Sequence, residues 1–157
     1  MKKLVATTFV LFLFLSSTAF LFAQDANQTQ KIINYCGARF NMFMKDAGIP
    51  NDISPLCTGE NSTEVFFDFK DFGAVIDKKM VVRIIFFSDS KNFSYKGLTI
   101  NSTSRDIEKK LGKPDEEIER ANGKGYLWEY PINEIYSSMY FWFDPDMKLE
   151  KISVELK

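Results

Sequence analysis

The sequence predicts an α+β protein built from tandem helix-plus-antiparallel-meander repeats, which form one continuous sheet with the helices packed on one face. Three observations carry this prediction. The helix ends of the two halves match as AGIPND (47–52) and LGKPDE (111–116), and the last strands match as VVRIIFF (81–87) and LEKISVE (149–155). Each half has only about 65 residues, which is too few for a strong core of its own. We therefore predict that the two halves share one sheet, which gives them a common hydrophobic core.

The beginning of the chain reads as a signal peptide. Lys2 and Lys3 form a positively charged start, and an apolar run follows over residues 4–15. We predict cleavage after Ala23, with Ala19 as a second candidate position. An uncleaved membrane anchor is the alternative, because the apolar stretch approaches spanning length if its Ser-Ser-Thr break is ignored. The predicted divisions are a signal peptide (1–23) and the two halves, 24–95 and 96–157, of one compact domain.

Export predicts a location in the periplasm or outside the cell, with no stable membrane span after signal cleavage. The mature chain would contain two cysteines, Cys36 and Cys57. In an oxidising compartment an even number of cysteines favours a disulfide, which would stabilise the fold by about 3 kcal/mol. A pair of buried free thiols is the alternative. The bond would pin a polar loop to the first helix.

Composition excludes several classes of function. The 157 residues include no histidine, so a Ser-His-Asp triad, a Cys-His pair and a histidine metal site are all excluded. The sequence contains 20 Lys and Arg residues and 21 Asp and Glu residues. This balance disfavours a nucleic-acid binder, because such a protein needs a basic surface. No nucleophile motif stands out, so we predict no catalytic residue. Two cysteines without a histidine or a C-x-x-C motif are a poor metal site, so we also predict no metal. An enzyme using a Ser-Lys pair or paired carboxylates is the remaining catalytic option.

In the first half, helical spacing over residues 28–47 predicts one helix of about five turns, which ends at the stop Gly48-Ile49-Pro50. Residues 51–63 are predicted to be a polar loop. Period-two alternation then predicts three strands, over 64–70, 72–76 and 80–87.

In the second half, Thr103 is the predicted N-cap of a helix, with Asp106 as its partner in a capping box. Strands are predicted over 126–130, 139–143 and 149–156. The segment 144–146, Asp-Pro-Asp, is predicted to be the hairpin turn between the last two strands, and a calcium loop is disfavoured because no glycine stands at its sixth position. The acidic run over 115–119 reads as a solvated face rather than a paired-acid catalytic site.

The second half carries a family resemblance. KGLTINSTSRDIEKKLGKPDE (96–116) and FWFDPDMKLEKISVE (141–155) combine a Gly-Leu-x-Ile lead-in, a Thr-capped short helix, a Leu-Gly-x-Pro stop and a hairpin with an acidic turn. This pattern resembles a unit of the beta-lactamase-inhibitor-protein-like fold, which small outer-membrane assembly lipoproteins share. The resemblance implies an exported, non-catalytic protein that binds another protein on a concave sheet, without a cofactor.

Alternation divides the strand residues between two faces. The set predicted to pack on the helices is Val65, Phe67, Ile76, Val82, Ile84, Phe86, Phe141, Phe143, Ile152, Val154 and Leu156. The predicted partner-binding residues on the opposite face are Phe66, Arg83, Ile85, Phe87, Tyr140 and Trp142. Exposed Tyr, Trp and Arg are enriched at binding hot spots. The alternative is that these aromatic residues are cross-strand pairs that stabilise a wet face.

The sequence therefore predicts an exported, non-enzymatic protein-interaction module. Its partner would be a protein of the cell envelope or the medium, bound on the open face of the sheet, and no nucleic acid is expected. The alternative is a carrier of a small apolar ligand in the cup of the sheet.

Overall fold

A computed structural model describes residues 29–56, 63–91, 93–133 and 137–156. Within these ranges the chain forms an eight-stranded antiparallel sheet and a few helices, which confirms the predicted α+β class. The strands are β1 (Asp52–Pro55), β2 (Val65–Asp68), β3 (Gly73–Asp77), β4 (Met80–Phe87), β5 (Glu116–Glu119), β6 (Tyr126–Asn133), β7 (Ser137–Phe143) and β8 (Leu149–Leu156). The helices are α1 (Phe40–Ala47) and α2 (Ser104–Leu111), and residues 29–33 are also helical.

The order of strands across the sheet is β1-β2-β3-β4-β8-β7-β6-β5. Each helix is followed by four strands that pair in sequence, and the last strands of the two runs, β4 and β8, lie side by side at the centre. Ile84 faces Val154 and Phe86 faces Ile152 across this central pair. The first strands, β1 and β5, form the two edges.

One edge strand corrects the sequence prediction: residues 51–63 were predicted to be a loop, yet Asp52–Pro55 form β1, in which Ile53 pairs with Phe67. The acidic run over 115–119 is solvated as predicted, and residues 116–119 of it also form a strand, in which Ile118 pairs with Leu127. The residues of β5 are all exposed, so burial imposes no alternation that a sequence pattern could reveal. Short, charged edge strands also resist pairing with other chains.

The single helix predicted over 28–47 is wrong, because the chain leaves the helical conformation after residue 33 and α1 begins only at Phe40. Between them, the N–H of Gly37 donates to the carbonyl of Val81 (2.8 Å), and the N–H of Val81 donates to Ala38 (2.9 Å). Gly37 has φ = 91°, a conformation that glycine adopts without a steric penalty. Backbone hydrogen bonds to the start of β4 thus hold residues 37 and 38 in a non-helical conformation, so the helix predicted over 28–47 is interrupted there.

The core lies between the helices and one face of the sheet, which we call the inner face. Phe43 of α1 and Ile107 of α2 are completely buried. The inner face contributes Ala74, Val81, Ile84, Phe86, Trp128, Met139, Phe141, Phe143, Ile152 and Val154. Stacking of Phe69 on Phe72, with ring centroids 4.8 Å apart, closes one end of this layer.

The predicted inward position of Val82 is wrong. Ile76 pairs with Val81, whereas Val75 pairs with Arg83, so Val82 is the additional residue of a β-bulge. Val81 takes the buried position, with no exposed surface, and Val82 is only partly buried.

Two local predictions are confirmed. Thr103 Oγ1 accepts from the N–H of Asp106 (3.2 Å), and Asp106 Oδ2 accepts from the N–H of Thr103 (2.9 Å), which is the predicted capping box of α2. In the hairpin turn, Asp144 Oδ1 accepts from the N–H groups of Asp146 (2.9 Å) and Lys148 (2.8 Å). In the part of the chain that the structure describes, no helix has the length and apolar character needed to cross a bilayer.

Candidate functional site

The six predicted partner-binding residues lie on one face of the sheet, opposite the helices, which we call the open face. Ile85, Ser153 and Tyr140 are successive partners across β4, β8 and β7. Phe87, Lys151 and Trp142 form the next row on the same face. Phe66 and Arg83 flank Val75 in a third row. All six are partly buried, because neighbouring side chains on the open face cover part of each one.

At the first-half side of the open face, Phe66 and Phe87 pack against each other. Their ring centroids are 6.4 Å apart and the rings are nearly perpendicular, at 80°. Gly73 lies under this pair, and a Cβ at that position would collide with the Phe66 ring. The absence of a side chain at Gly73 therefore lets the rings of Phe66 in β2 and Phe87 in β4 meet over the intervening strand β3.

Trp142 is held in a hydrogen-bond network at the centre of the open face. Its Nε1 donates to Ser153 Oγ (2.9 Å), and Ser153 Oγ donates to Glu155 Oε1 (2.9 Å). The same carboxylate oxygen lies 2.9 Å from Arg83 Nε, although the N–H of Arg83 does not point at it. Ser153 is only 1% exposed. The network fixes the orientation of the indole ring.

Two cations approach the ring of Trp142. Lys151 Nζ is 4.0 Å from the ring centroid, and Arg120 Cζ is 5.4 Å from it. Arg120 also donates to the carbonyl of Phe143 (3.0 Å) and pairs with Glu150 (2.6 Å). Burial lowers the pKa of Lys151, and the nearby Arg120 and Arg83 lower it further. The open face thus carries a partly desolvated ammonium group beside an aromatic ring.

Tyr140 lies beside a second polar cluster. Ser138, which is completely buried, donates to Glu129 Oε1 (2.6 Å). Burial and the carboxylate of Glu129 raise the pKa of Tyr140 above its ordinary value. The phenol therefore stays protonated at neutral pH and can donate a hydrogen bond.

A groove of about 470 Å³ runs over this part of the open face. Its lining residues are Arg83, Ile85, Glu116, Ile118, Leu127, Glu129, Tyr140, Trp142, Lys151, Ser153 and Glu155. The predicted set contributes Arg83, Ile85, Tyr140 and Trp142 to it. Lys151, Ser153 and Glu155 alternate with the inward-predicted Ile152, Val154 and Leu156, so alternation also predicts them on the open face, but nothing in the sequence marked them as site residues. Arg120 reaches Trp142 from the segment between β5 and β6, and no sequence pattern indicates that contact.

A smaller cavity of about 160 Å³ lies on the other side of the sheet, against the helices. Its walls include Ile32, Phe69, Phe72, Phe86 and Phe93, and the side chain of Ile49, which is 93% exposed, lies at its edge. In the described ranges, no group of three His, Cys, Asp or Glu side chains comes together as a potential metal site.

The predicted disulfide partner Cys57 lies outside the described residues. Cys36 Sγ lies 3.7 Å from the carbonyl oxygen of Val82 and 3.6 Å from that of Val154, over β4 and β8. Burial raises the pKa of the Cys36 thiol to about 12. Leu56, the last described residue before Cys57, follows β1. The strand β1 lies three strand spacings, or about 14 Å, from β4, over which Cys36 lies. The disulfide stays a prediction.

The sequence matches no protein-family model and no curated protein. Among solved structures, the chain is similar to a DUF4309 family protein from Bacillus subtilis, with a TM-score of 0.51 and 14% identity, over 76% of this chain and 78% of that chain. It is also similar to a cysteine-rich secretory protein from Staphylococcus aureus, with a TM-score of 0.52 and 12% identity. That match covers 79% of this chain but only 45% of the other protein. At these identities the likeness shows the fold alone.

Proposed function

We propose that this chain is an exported, non-enzymatic module that binds a protein partner of the cell envelope or medium on the open face of its sheet. The observation that carries the proposal is the position of Trp142 and Tyr140. Both aromatic side chains lie on the face that the helices leave uncovered, and Trp142 is tied to Ser153 by a hydrogen bond. A ring held in one orientation loses little entropy when a partner covers it.

The composition of the groove supports a protein as the ligand. Apolar side chains such as Leu127 and Ile85 alternate with charged ones such as Arg83 and Glu155. Protein interfaces combine aromatic and arginine anchors with polar surroundings in this way. A partner that supplies both apolar and charged groups would satisfy both parts of the groove.

We further propose that the two halves are tandem copies of one helix-plus-meander unit. The mirrored strand order about β4 and β8 supports this proposal, because α1 and α2 are each followed by four strands that pair in the same sequence. A doubled unit that forms one sheet is also what the resemblance to the beta-lactamase-inhibitor-protein-like fold implies.

A carrier of a small apolar ligand is the competing function, and the geometry favours it less. The cavity beside the helices measures about 160 Å³, whereas pockets for drug-sized ligands have volumes of roughly 300 to 1,000 Å³. The larger groove on the open face contains charged side chains, and an apolar ligand would remove their hydration without replacing it.

Native mass spectrometry of the protein purified from its own host separates the two functions. The proposal expects a complex with a second protein, which dissociates when Trp142 is replaced by Ala. A co-purifying small mass that survives the Trp142→Ala substitution supports the carrier and contradicts the proposal.

A further inference from the structure

Among the described residues of the open face, Lys151 is a central cation that has no carboxylate in close contact, and this charge indicates the chemistry of the partner. We propose that Lys151 receives a carboxylate from the partner protein, an aspartate or glutamate side chain that docks beside Trp142. This inference rests on the proposed function and deepens it by naming the group that the partner presents.

The charges around Trp142 are unequally matched. Arg83 Nε lies 2.9 Å from a carboxylate oxygen of Glu155, and Arg120 Nη1 lies 2.6 Å from one of Glu150. Among the described residues, no carboxylate lies within 4.0 Å of Lys151 Nζ. Its ammonium group rests instead on the Trp142 ring, 4.0 Å from the centroid. Each arginine has a carboxylate oxygen within 2.9 Å, whereas Lys151 interacts with Glu155 and Glu150 only at longer range.

The surroundings of Lys151 destabilise its positive charge. The side chain is partly buried, and the two neighbouring guanidinium groups repel its charge more strongly than the carboxylates of Glu155 and Glu150 attract it. A cation–π contact compensates only part of the lost hydration. A partner carboxylate would supply the missing counter-charge, and exclusion of water on docking would strengthen the attraction.

The neighbouring row of side chains indicates what surrounds that carboxylate. Trp142 lies next to Lys151 across the strands, followed by Leu127 and then Ile118. Ile118 is 43% exposed. A docking segment with an acidic residue adjacent to an apolar one would place the acid on Lys151 and the apolar side chain over Leu127. A basic residue beside Trp142 would meet the ammonium group of Lys151, and like charges in contact oppose binding. The glutamates of the groove, Glu116, Glu129 and Glu155, line its other parts.

Selection from a phage-displayed library of random peptides tests the inference with a defined probe. The mature wild-type protein, residues 24–157, serves as bait, and the selected peptides are synthesised and their affinities measured. We expect them to share an Asp or Glu at one position, next to an apolar residue. Their affinities should fall at least about tenfold in Lys151→Met and further in Lys151→Glu, because each variant removes the counter-charge.

Lys109→Glu is the matched control, because Lys109 is an exposed lysine on α2, on the other side of the sheet. This variant should bind the peptides as the wild type does. Selection with Lys151→Glu as bait should instead enrich peptides with Lys or Arg at the shared position.

The outcomes separate this inference from the proposed function. Selected peptides that carry no acidic residue, but still lose affinity for Trp142→Ala, overturn the assignment of Lys151 and leave the binding face intact. Peptides that bind Trp142→Ala and wild type equally, or the recovery of no peptide, overturn both.

Discussion

Trp142 and Ser153 are joined across β7 and β8 by a hydrogen bond of 2.9 Å from the indole Nε1 to the hydroxyl oxygen. The neighbouring residue in β7, Phe141, points the other way and is completely buried in the core. The adjacent residues Phe141 and Trp142 thus lie on opposite faces of β7. Their substitutions should separate stability from binding.

Phe141→Ala should lower the free energy of unfolding by about 3 to 5 kcal/mol, because it leaves a cavity in the core. Trp142→Ala should lower it by about 1 to 2 kcal/mol, since the ring is partly exposed and loses one hydrogen bond and its cation contacts. Chemical denaturation of both variants measures the difference. Equal losses would show that Trp142 belongs to the core and would remove the basis of the binding face.

Tyr130 should make the fold sensitive to alkaline pH. Its hydroxyl donates to the carbonyl of Gly112 (3.0 Å), which ties β6 to the end of α2, and burial raises its pKa from 10.0 to about 12. Because the pKa is higher in the folded state, the stabilisation is fully present below about pH 10 and is lost as the pH rises towards 12. The free energy of unfolding should fall over this window, and less steeply in Tyr130→Phe. Identical slopes for the two proteins would refute this role.

The capping box of α2 should contribute measurably to stability. Thr103→Ala removes the acceptor of the Asp106 N–H and should cost about 1 kcal/mol. Arg105→Ala is a suitable control, because Arg105 is exposed in the first turn and makes no cap contact. Thermal unfolding should show a lower midpoint for Thr103→Ala than for Arg105→Ala. A midpoint unchanged from the wild type would mean that solvent replaces the cap.

Non-reducing peptide mapping of the protein purified from its host tests the bond between Cys36 and Cys57. The sequence predicts a linked peptide pair, and Cys36→Ser should then lower the free energy of unfolding by about 2 to 4 kcal/mol. If both cysteines react with iodoacetamide after denaturation without a reductant, the disulfide is refuted. A Cys36 that resists alkylation in the folded protein would then reflect its raised pKa.

The parts of the fold that burial constrains could be predicted from the sequence. The bounds of β4 and β8, Met80–Phe87 and Leu149–Leu156, agree with the prediction because one face of each strand is buried and alternation is strong. The same alternation placed Tyr140 and Trp142 on the open face. The capping box could be predicted because it depends only on a local pattern, Thr103 and Asp106 three positions apart.

The remainder depends on contacts between distant segments. The interruption of the predicted helix before Phe40 results from backbone pairing with β4. The apolar residues continue at helical spacing through this segment, so the sequence pattern does not indicate the interruption. The bulge at Val82 shifts the buried position to Val81 without a change in composition. The approach of Arg120 to Trp142 joins the end of β5 to β7, and no local pattern encodes it.

Affinity capture from the envelope fraction of the host tests the binding face most directly. Tagged mature baits would be the wild type, the double variant Tyr140→Ala/Trp142→Ala, and Met42→Ala, a control that truncates a 55% exposed side chain on α1, on the helix side of the sheet. Quantitative mass spectrometry should find one protein recovered equally by the wild type and Met42→Ala, and at least about tenfold less by the double variant. Equal recovery by all three baits, with the double variant shown to be folded, would contradict the open face as the binding surface.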